Sequence, residues 1–372
     1  MKFTCSQTAL SKVISTVSKA ISKRTTIPAL EGILLQAGND NSLMMTSSDM
    51  DFSIETKIQA DVEEEGQIIV MARLFQEIVR KLPSEDITIS CQDDEKVTVN
   101  TTNSRFDIIG LSADEFPSIG RLENIEAELS FNRQLLRSMI ARTQFCVSND
   151  ESRGIITGIL MELEENEMHM ASLDGFRMAV AREEMHSEKP LSIVIHGRIM
   201  NEISKILGES DDEDETVRLL LGDKKAALIM GETTMIMRLM EGKFIQYKDI
   251  LKNADTTEVI VDRRALSDAV ERASLLAKEG KNNLVILQIA DDQMIILSTS
   301  EKGKVKEEIN IDMKGKDLEI GFNSKYLLDV LHAIDDDEVM LRMETPTSSC
   351  IVRPLEGDVY EYLILPVRIP SN

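Results

Sequence analysis

Tryptophan is missing from this chain of 372 residues, and Phe, Tyr and Trp together make up only 4% of it. The core must therefore be filled by aliphatic side chains and by the 20 methionines, whose flexible thioethers suit irregular gaps. Cysteine is scarce too. Cys5, Cys91, Cys146 and Cys350 are dispersed with no CxxC pair, which argues against a disulfide framework and predicts reduced thiols. The four histidines, His169, His186, His196 and His332, show no metal-ligand spacing, so no metal is expected. No apolar run approaches membrane-spanning length, and the amino terminus lacks an apolar stretch of signal length. A soluble, cytoplasmic protein is expected.

Catalytic signatures are absent as well. There is no GxxxxGK[ST], no GxGxxG after a strand, no GxSxG and no HExxH. Neither an enzyme nor a cofactor is expected. Asp174 and the acid runs could be imagined as Mg²⁺ ligands, but a turn role explains Asp174 more simply. Basic charge is also short: 42 Lys and Arg face 65 Asp and Glu, a net charge of −23. That excludes tight, non-specific gripping of nucleic acid over the whole surface, which needs cations to replace condensed counterions.

What is present is repetition. Residues 168–180 alternate apolar and polar on both sides of Asp174-Gly175, so they predict a hairpin with a type I′ turn. Similar strands precede Asp49 and Glu301, giving offsets of 174 − 49 = 125 and 301 − 174 = 127. A helix repeats at the same spacing. Leu74, Phe75, Ile78 and Leu82 match Ile199, Met200, Ile203 and Leu207, then Tyr326, Leu327, Val330 and Ile334. A cation recurs at Arg73, Arg198 and Lys325, with a carboxylate four residues on at Glu77, Glu202 and Asp329. An earlier helix repeats too: Leu10, Val13, Ile14 and Val17 match Leu136, Met139, Ile140 and Thr143, then Leu266, Ala269, Val270 and Ala273.

A period this long is a domain, since solenoid units run to ~20–45 residues. Strand signals at 32–36, 68–70, 87–90 and 97–99 around the helices predict an α+β domain with two helices laid on antiparallel sheet. The chain is read as three tandem copies, spanning 1–122, 128–252 and 257–372, with polar boundaries near 121–127 and 252–257.

Charge is patterned on these copies. Residues 1–27 hold no acid but carry Lys2, Lys12, Lys19, Lys23 and Arg24. Residues 131–147 likewise hold Arg133, Arg137 and Arg142 without an acid, whereas the third copy is mixed. Acid runs at 63–65, 211–215 and 335–337 mark expected loops or edges. Either the basic runs are ordinary solvated surface, or repeated helices build one basic face for a polyanion.

Taken together, the three repeats, Ser-Leu-Asp-Gly-Phe-Arg-Met-Ala at 172–179, Phe-Ile-Gln-Tyr at 244–247, residues 320–331 and the closing Tyr-Leu-Ile-Leu-Pro-Val-Arg at 362–368 resemble the bacterial sliding clamp, the beta subunit of DNA polymerase III. The resemblance covers essentially the whole chain. It implies a clamp-domain fold in three copies and a head-to-tail homodimer whose six domains close a ring around double-stranded DNA. It also implies a processivity role, with the polymerase catalytic subunit, an ATP-dependent clamp loader and other proteins carrying a short clamp-binding motif as partners. A closed heterologous ring suits similar units joined end to end, which must otherwise polymerise.

The resemblance carries roles to individual residues. Arg24, Arg73, Arg198, Asn323 and Lys325 match DNA-facing segments. Ile156, Leu173, Gly175, Phe176, Arg177, Met178, Ile250, Ile364, Leu365, Pro366, Val367 and Arg368 match a partner-peptide pocket between the second and third domains, taking motifs that end in apolar or aromatic anchors. Phe106 and Ile108 match one side of the dimer interface, and Leu275 and Leu276 the other. The chain departs from the family at Ile245, where proline is frequent, at Phe176, where histidine is common, and in a tail continuing from Ile369 to Asn372. An acidic multi-domain scaffold that never meets DNA is the competing expectation.

Overall fold

The computed structural model describes residues 1–22, 25–92, 95–122, 124–164, 166–185, 190–209, 212, 215–251 and 256–370. Arg24 and most of the expected boundary at 252–257 lie outside the described residues, as does part of the acid run at 211–215. The chain divides into two compact units, Met1–Leu136 with Glu202–Leu239, and Arg137–Asn201 with Met240–Asn372. The second repeat is thus shared between them.

Among the described residues there are seven α-helices: α1 (Gln7–Val17), α2 (Ala72–Lys81), α3 (Arg133–Thr143), α4 (Gly197–Leu207), the short α5 (Tyr247–Ile250), α6 (Arg263–Ala277) and α7 (Ser324–His332). Apart from α5, each directly follows a strand, and the helices pair off as first and second helix of each copy. Periodicity explains which face they bury. On α1, Leu10, Val13, Ile14 and Val17 are buried, and on α2, Phe75, Ile78 and Val79. Leu74 departs from the expected apolar stripe. It is exposed, because it lies one position ahead of Phe75 and the helix turns it away from the sheet.

The expected strands at 32–36, 68–70, 87–90 and 97–99 lie within Gly32–Gly38, Gly66–Met71, Asp86–Cys91 and Lys96–Asn100. In the first unit, an antiparallel five-stranded sheet runs Asp61–Glu64, Lys2–Ser6, Asp86–Cys91, Lys96–Asn100, Arg105–Ile109. The acids at its first edge blunt an otherwise open strand. An eight-stranded sheet holds the rest, and within it Phe52–Gln59 of the first copy pairs with Thr233–Arg238, the last strand of the second.

The second unit repeats this seam. In its nine-stranded sheet, Arg177–Glu184 of the second copy pairs with Tyr360–Ile364, the last strand of the third. Arg177 faces Ile364 there, as Phe52 faces Met237 in the first seam. A four-stranded sheet in this unit ends on Gly303–Asn310, the third copy's counterpart of those seam strands. Helices α6 and α7 pack on one apolar cluster that includes Leu266, Val270, Leu327, Val330 and Tyr362.

One polar device recurs in every copy. The residue opening the first helix donates to a carbonyl at or just beyond the end of the second, where the helical hydrogen-bond ladder runs out. Gln7 Nε2 donates to Val79 O at 2.7 Å, Arg133 Nη2 to Asp212 O at 2.8 Å and Arg263 Nε to Asp336 O at 2.7 Å. Their backbone amides donate to Glu85 O, Glu215 O and Asp337 O in the same order.

Candidate functional site

The middle hairpin centres the candidate site. Asp174 Oδ1 accepts from the amides of Phe176 (2.9 Å) and Arg177 (3.1 Å), and Asp174 N donates to Arg177 O. The two loop residues are therefore Gly175 and Phe176. Of these, Gly175 alone has positive φ, +88°, which corrects the expected type I′ turn to the type II′ pattern. Asp49 plays the same part in the first copy, accepting from Asp51 N and Phe52 N, with Met50 at φ +81° in the place of Gly175. The third copy corrects the expected alignment. Ser300 pairs across the hairpin with Gly303, and its Oγ accepts from Lys302 N. Ser300 therefore occupies the place of Asp174, and Glu301 sits one step on, in the loop.

Arg177 is 7% exposed and uses every edge of its guanidinium. Nε donates to Asp174 Oδ2 (3.0 Å), Nη1 to Asp329 Oδ2 (2.6 Å) and Nη2 to Phe145 O (2.8 Å). Its planar head also lies 4.5 Å from the Tyr326 ring centroid, a cation–π geometry. Burial works against this charge, but the contacts with Asp329 and Asp174 help hold its pKa above the ordinary value.

Around this network the apolar residues divide into a rim and a floor. Phe176 is 55% exposed at the hairpin tip, its ring stacked 6.1 Å from that of Tyr326. Ile250, Leu365 and Ile245 are also exposed, whereas Pro366 and Val367 are half-buried and Arg368 is exposed. Ile156, Leu173 and Met178 are buried in one apolar cluster with Tyr247, and Ile364 in another. Leu365 N donates to Phe176 O, which fixes the carboxy-terminal segment beside the turn. Gly175 faces Arg153, whose Nη2 would lie 2.7 Å from an added Cβ. Tyr247 anchors α5 from below: its hydroxyl donates to Glu162 (2.9 Å) and meets His169 Nδ1 (3.0 Å).

A second set of residues is cationic. Arg73, Arg198 and Lys325 are each the second residue of α2, α4 and α7 and are all exposed, Arg73 to 95%. A cation there faces the positive end of the helix dipole, which costs ~0.3–1 kcal/mol where the opposite charge would stabilise. Arg73 offsets part of this cost through its i,i+4 pair with Glu77 at 3.8 Å. Asn323 caps α7, its side chain accepting from Lys325 N at 3.0 Å.

Three family models describe the chain in sequence: the N-terminal domain of the DNA polymerase III beta subunit over residues 1–120, the central domain over 130–246 and the C-terminal domain over 248–368. The chain belongs to the DNA polymerase III beta subunit family. It is 33% identical to the beta sliding clamp of Bacillus subtilis, covering 99% of this chain and 100% of that one. It is 31% identical to that of Staphylococcus epidermidis, covering 99% of each. Among solved structures, the sliding clamp of B. subtilis matches with a TM-score of 0.94, 32% identity and full coverage of both chains. A putative beta subunit of Eubacterium rectale matches with a TM-score of 0.93 and 36% identity, over 99% of this chain and 100% of that one.

Seen as a sliding clamp, the molecule brings some expected residues together and leaves others apart. Phe176, Arg177, Leu365 and the buried Ile364 share one neighbourhood. Lys19 and Arg133 leave the expected basic face: Lys19 pairs with Glu209, and the buried Arg133 is turned to the end of α4. Phe106 lies exposed on the edge strand Arg105–Ile109, with Ile108 half-buried beside it. Leu275 is 68% exposed on α6, and Leu276 borders Gly303. Tyr326, Asp329, Phe145 and Arg153 at the middle hairpin are not among the residues expected from the sequence. Tyr326 and Asp329 stood out in the sequence only as repeat positions on a helix. No group of His, Cys, Asp and Glu among the described residues could hold a metal, and no described helix is long and apolar enough to cross a membrane.

Proposed function

We propose that two copies of this chain close head to tail into a ring that encircles double-stranded DNA, slides along it and docks the replicative polymerase. One observation carries this reading. Inside the chain, the strand after each turn pairs with the last strand of the next copy, twice, in equivalent register. The third copy's strand Gly303–Asn310 and the first copy's last strand Arg105–Ile109 are each left on a sheet edge. Open edges of this kind are templates for pairing with another chain. Applying the seam rule once more joins them between two molecules.

The rule also sets the register. Gly303 is the counterpart of Phe52 and Arg177, and Ile108 the counterpart of Met237 and Ile364. The proposed contact therefore places Gly303 opposite Ile108, Lys304 opposite Asp107 and Val305 opposite Phe106. Leu275 and Leu276 then cover Phe106 and Ile108 from α6. Domain boundaries at 1–122, 128–252 and 257–372 follow the same repeat. The test is a charge exchange: Lys304→Glu shifts the dimer toward monomer by light scattering, and Lys304→Glu with Asp107→Lys restores it. A double variant no better than the single one rejects this register.

Within the ring, Arg24, Arg73, Arg198 and Lys325, with Asn323 beside Lys325, face the phosphates. A few cations in an acidic protein hold DNA loosely, which suits sliding without sequence preference. Partners carrying a short motif, the clamp loader among them, dock where Ile156, Leu173, Gly175, Phe176, Arg177, Met178, Ile250, Ile364, Leu365, Pro366, Val367 and Arg368 gather. The role is non-catalytic, needs no cofactor and belongs in the cytoplasm. For the docking site, Phe176→Asp with Leu365→Asp should abolish capture of the polymerase while leaving DNA loading intact; polymerase capture unchanged from wild type would reject it.

A further inference from the structure

We infer that Arg177 serves this pocket as a positioning residue, and that it acts through Asp329 to hold α7 against the docking hairpin. Its guanidinium joins three segments: its own turn through Asp174, the end of the α3 segment through Phe145 O, and α7 through Asp329 and Tyr326. Three of its five N–H donors are engaged inside the protein, and with 7% of the residue exposed the head is largely closed to a ligand. The first copy has Phe52, fully packed, at the equivalent place, so the fold itself accepts an apolar residue there.

What the arginine adds is a fixed place for α7. Asp329 lies one turn after Tyr326, on which Phe176 stacks. Lys325 lies beside Tyr326 on the same helix. The stacking platform of the docking face and the exposed cation of α7 are thus held by one bidentate-capable head, which an ammonium could not replace in geometry. Docking specificity then falls to the exposed rim, Phe176, Ile250 and Leu365, while Arg177 sets where that rim's platform stands.

The inference rests on the docking reading and is tested by a double-mutant cycle. Full-length wild type, Arg177→Lys, Asp329→Asn and the double variant are titrated with a labelled synthetic peptide ending in an aliphatic and an aromatic residue. The temperature is one at which circular dichroism shows all four folded, so a general loss of stability does not move the readout. Each single variant should weaken peptide binding by ~10-fold, and the double variant should be no weaker than the weaker single one, because both remove one coupling. Losses that multiply, or Asp329→Asn binding like wild type, would overturn the inference. A peptide that binds Phe176→Ala and Leu365→Ala as tightly as wild type would instead sink the docking reading, which keeps the two failures apart.

Discussion

Arg133 and Arg263 turn their guanidinium groups inward, onto carbonyls at or just beyond the end of the second helix of their own copies. Removing the donor takes away a hydrogen bond from a charged group, and a lost bond of this kind costs ~1.5–3 kcal/mol. Arg133→Met should therefore lower the urea-unfolding free energy by about that much; a change under ~0.5 kcal/mol would mean that the latch is idle. Tyr247→Phe should cost ~1–2 kcal/mol by the same physics, through the bonds to Glu162 and His169, with thermal unfolding as the measure. The thiols make a third case. Burial pushes Cys5 up to about 12, and Cys146 and Cys350 are buried, whereas Cys91 is half-buried. In the native state a thiol reagent at pH 8 should modify Cys91 well before the other three, as peptide mapping would show. At this scale the sequence was partly legible. Gly175 could be found because a positive-φ position favours glycine. Tyr326 and Asp329 could not, because nothing local tells a helix residue which distant hairpin it will meet.

The helices were legible as elements. Their apolar residues recur at helical spacing, so α2, α4 and α7 could be aligned before any contact was known. Periodicity blurs at the margin of a stripe, which is why Leu74 fits the apolar stripe in the sequence yet is exposed. It also cannot separate a cation that reaches solvent from one that folds back, and so Arg133 looked like part of a basic face. The starts of α2, α4 and α7 give a prediction with opposed signs. Replacing Arg73, Arg198 and Lys325 with Gln relieves a mismatch with the helix dipole, so Tm should hold or rise. The same change should weaken DNA retention ~10-fold or more at low salt and flatten its salt dependence. If stability falls while retention is unchanged, these cations are structural.

At the scale of the molecule, repetition was the most legible feature, because three landmarks kept nearly one offset. Strand partners across copies were not, since alternation shows that a strand is half-buried without showing which neighbour it joins. The seams supply that missing link. Phe52–Gln59 with Thr233–Arg238, and Arg177–Glu184 with Tyr360–Ile364, obey one rule that leaves two edges open in each chain. The middle turn, Asp174 to Arg177, belongs to this rule as a seam and is the turn at which the proposed docking site is centred. A closed ring makes attachment to DNA topological and not adhesive. The most direct measurement is retention of the loaded protein on circular plasmid, before and after a single cut that linearises it, at a salt concentration that screens phosphate contacts. The expected result is stable retention on the circle and rapid loss on cutting. Equal retention on circular and linear DNA would contradict encirclement.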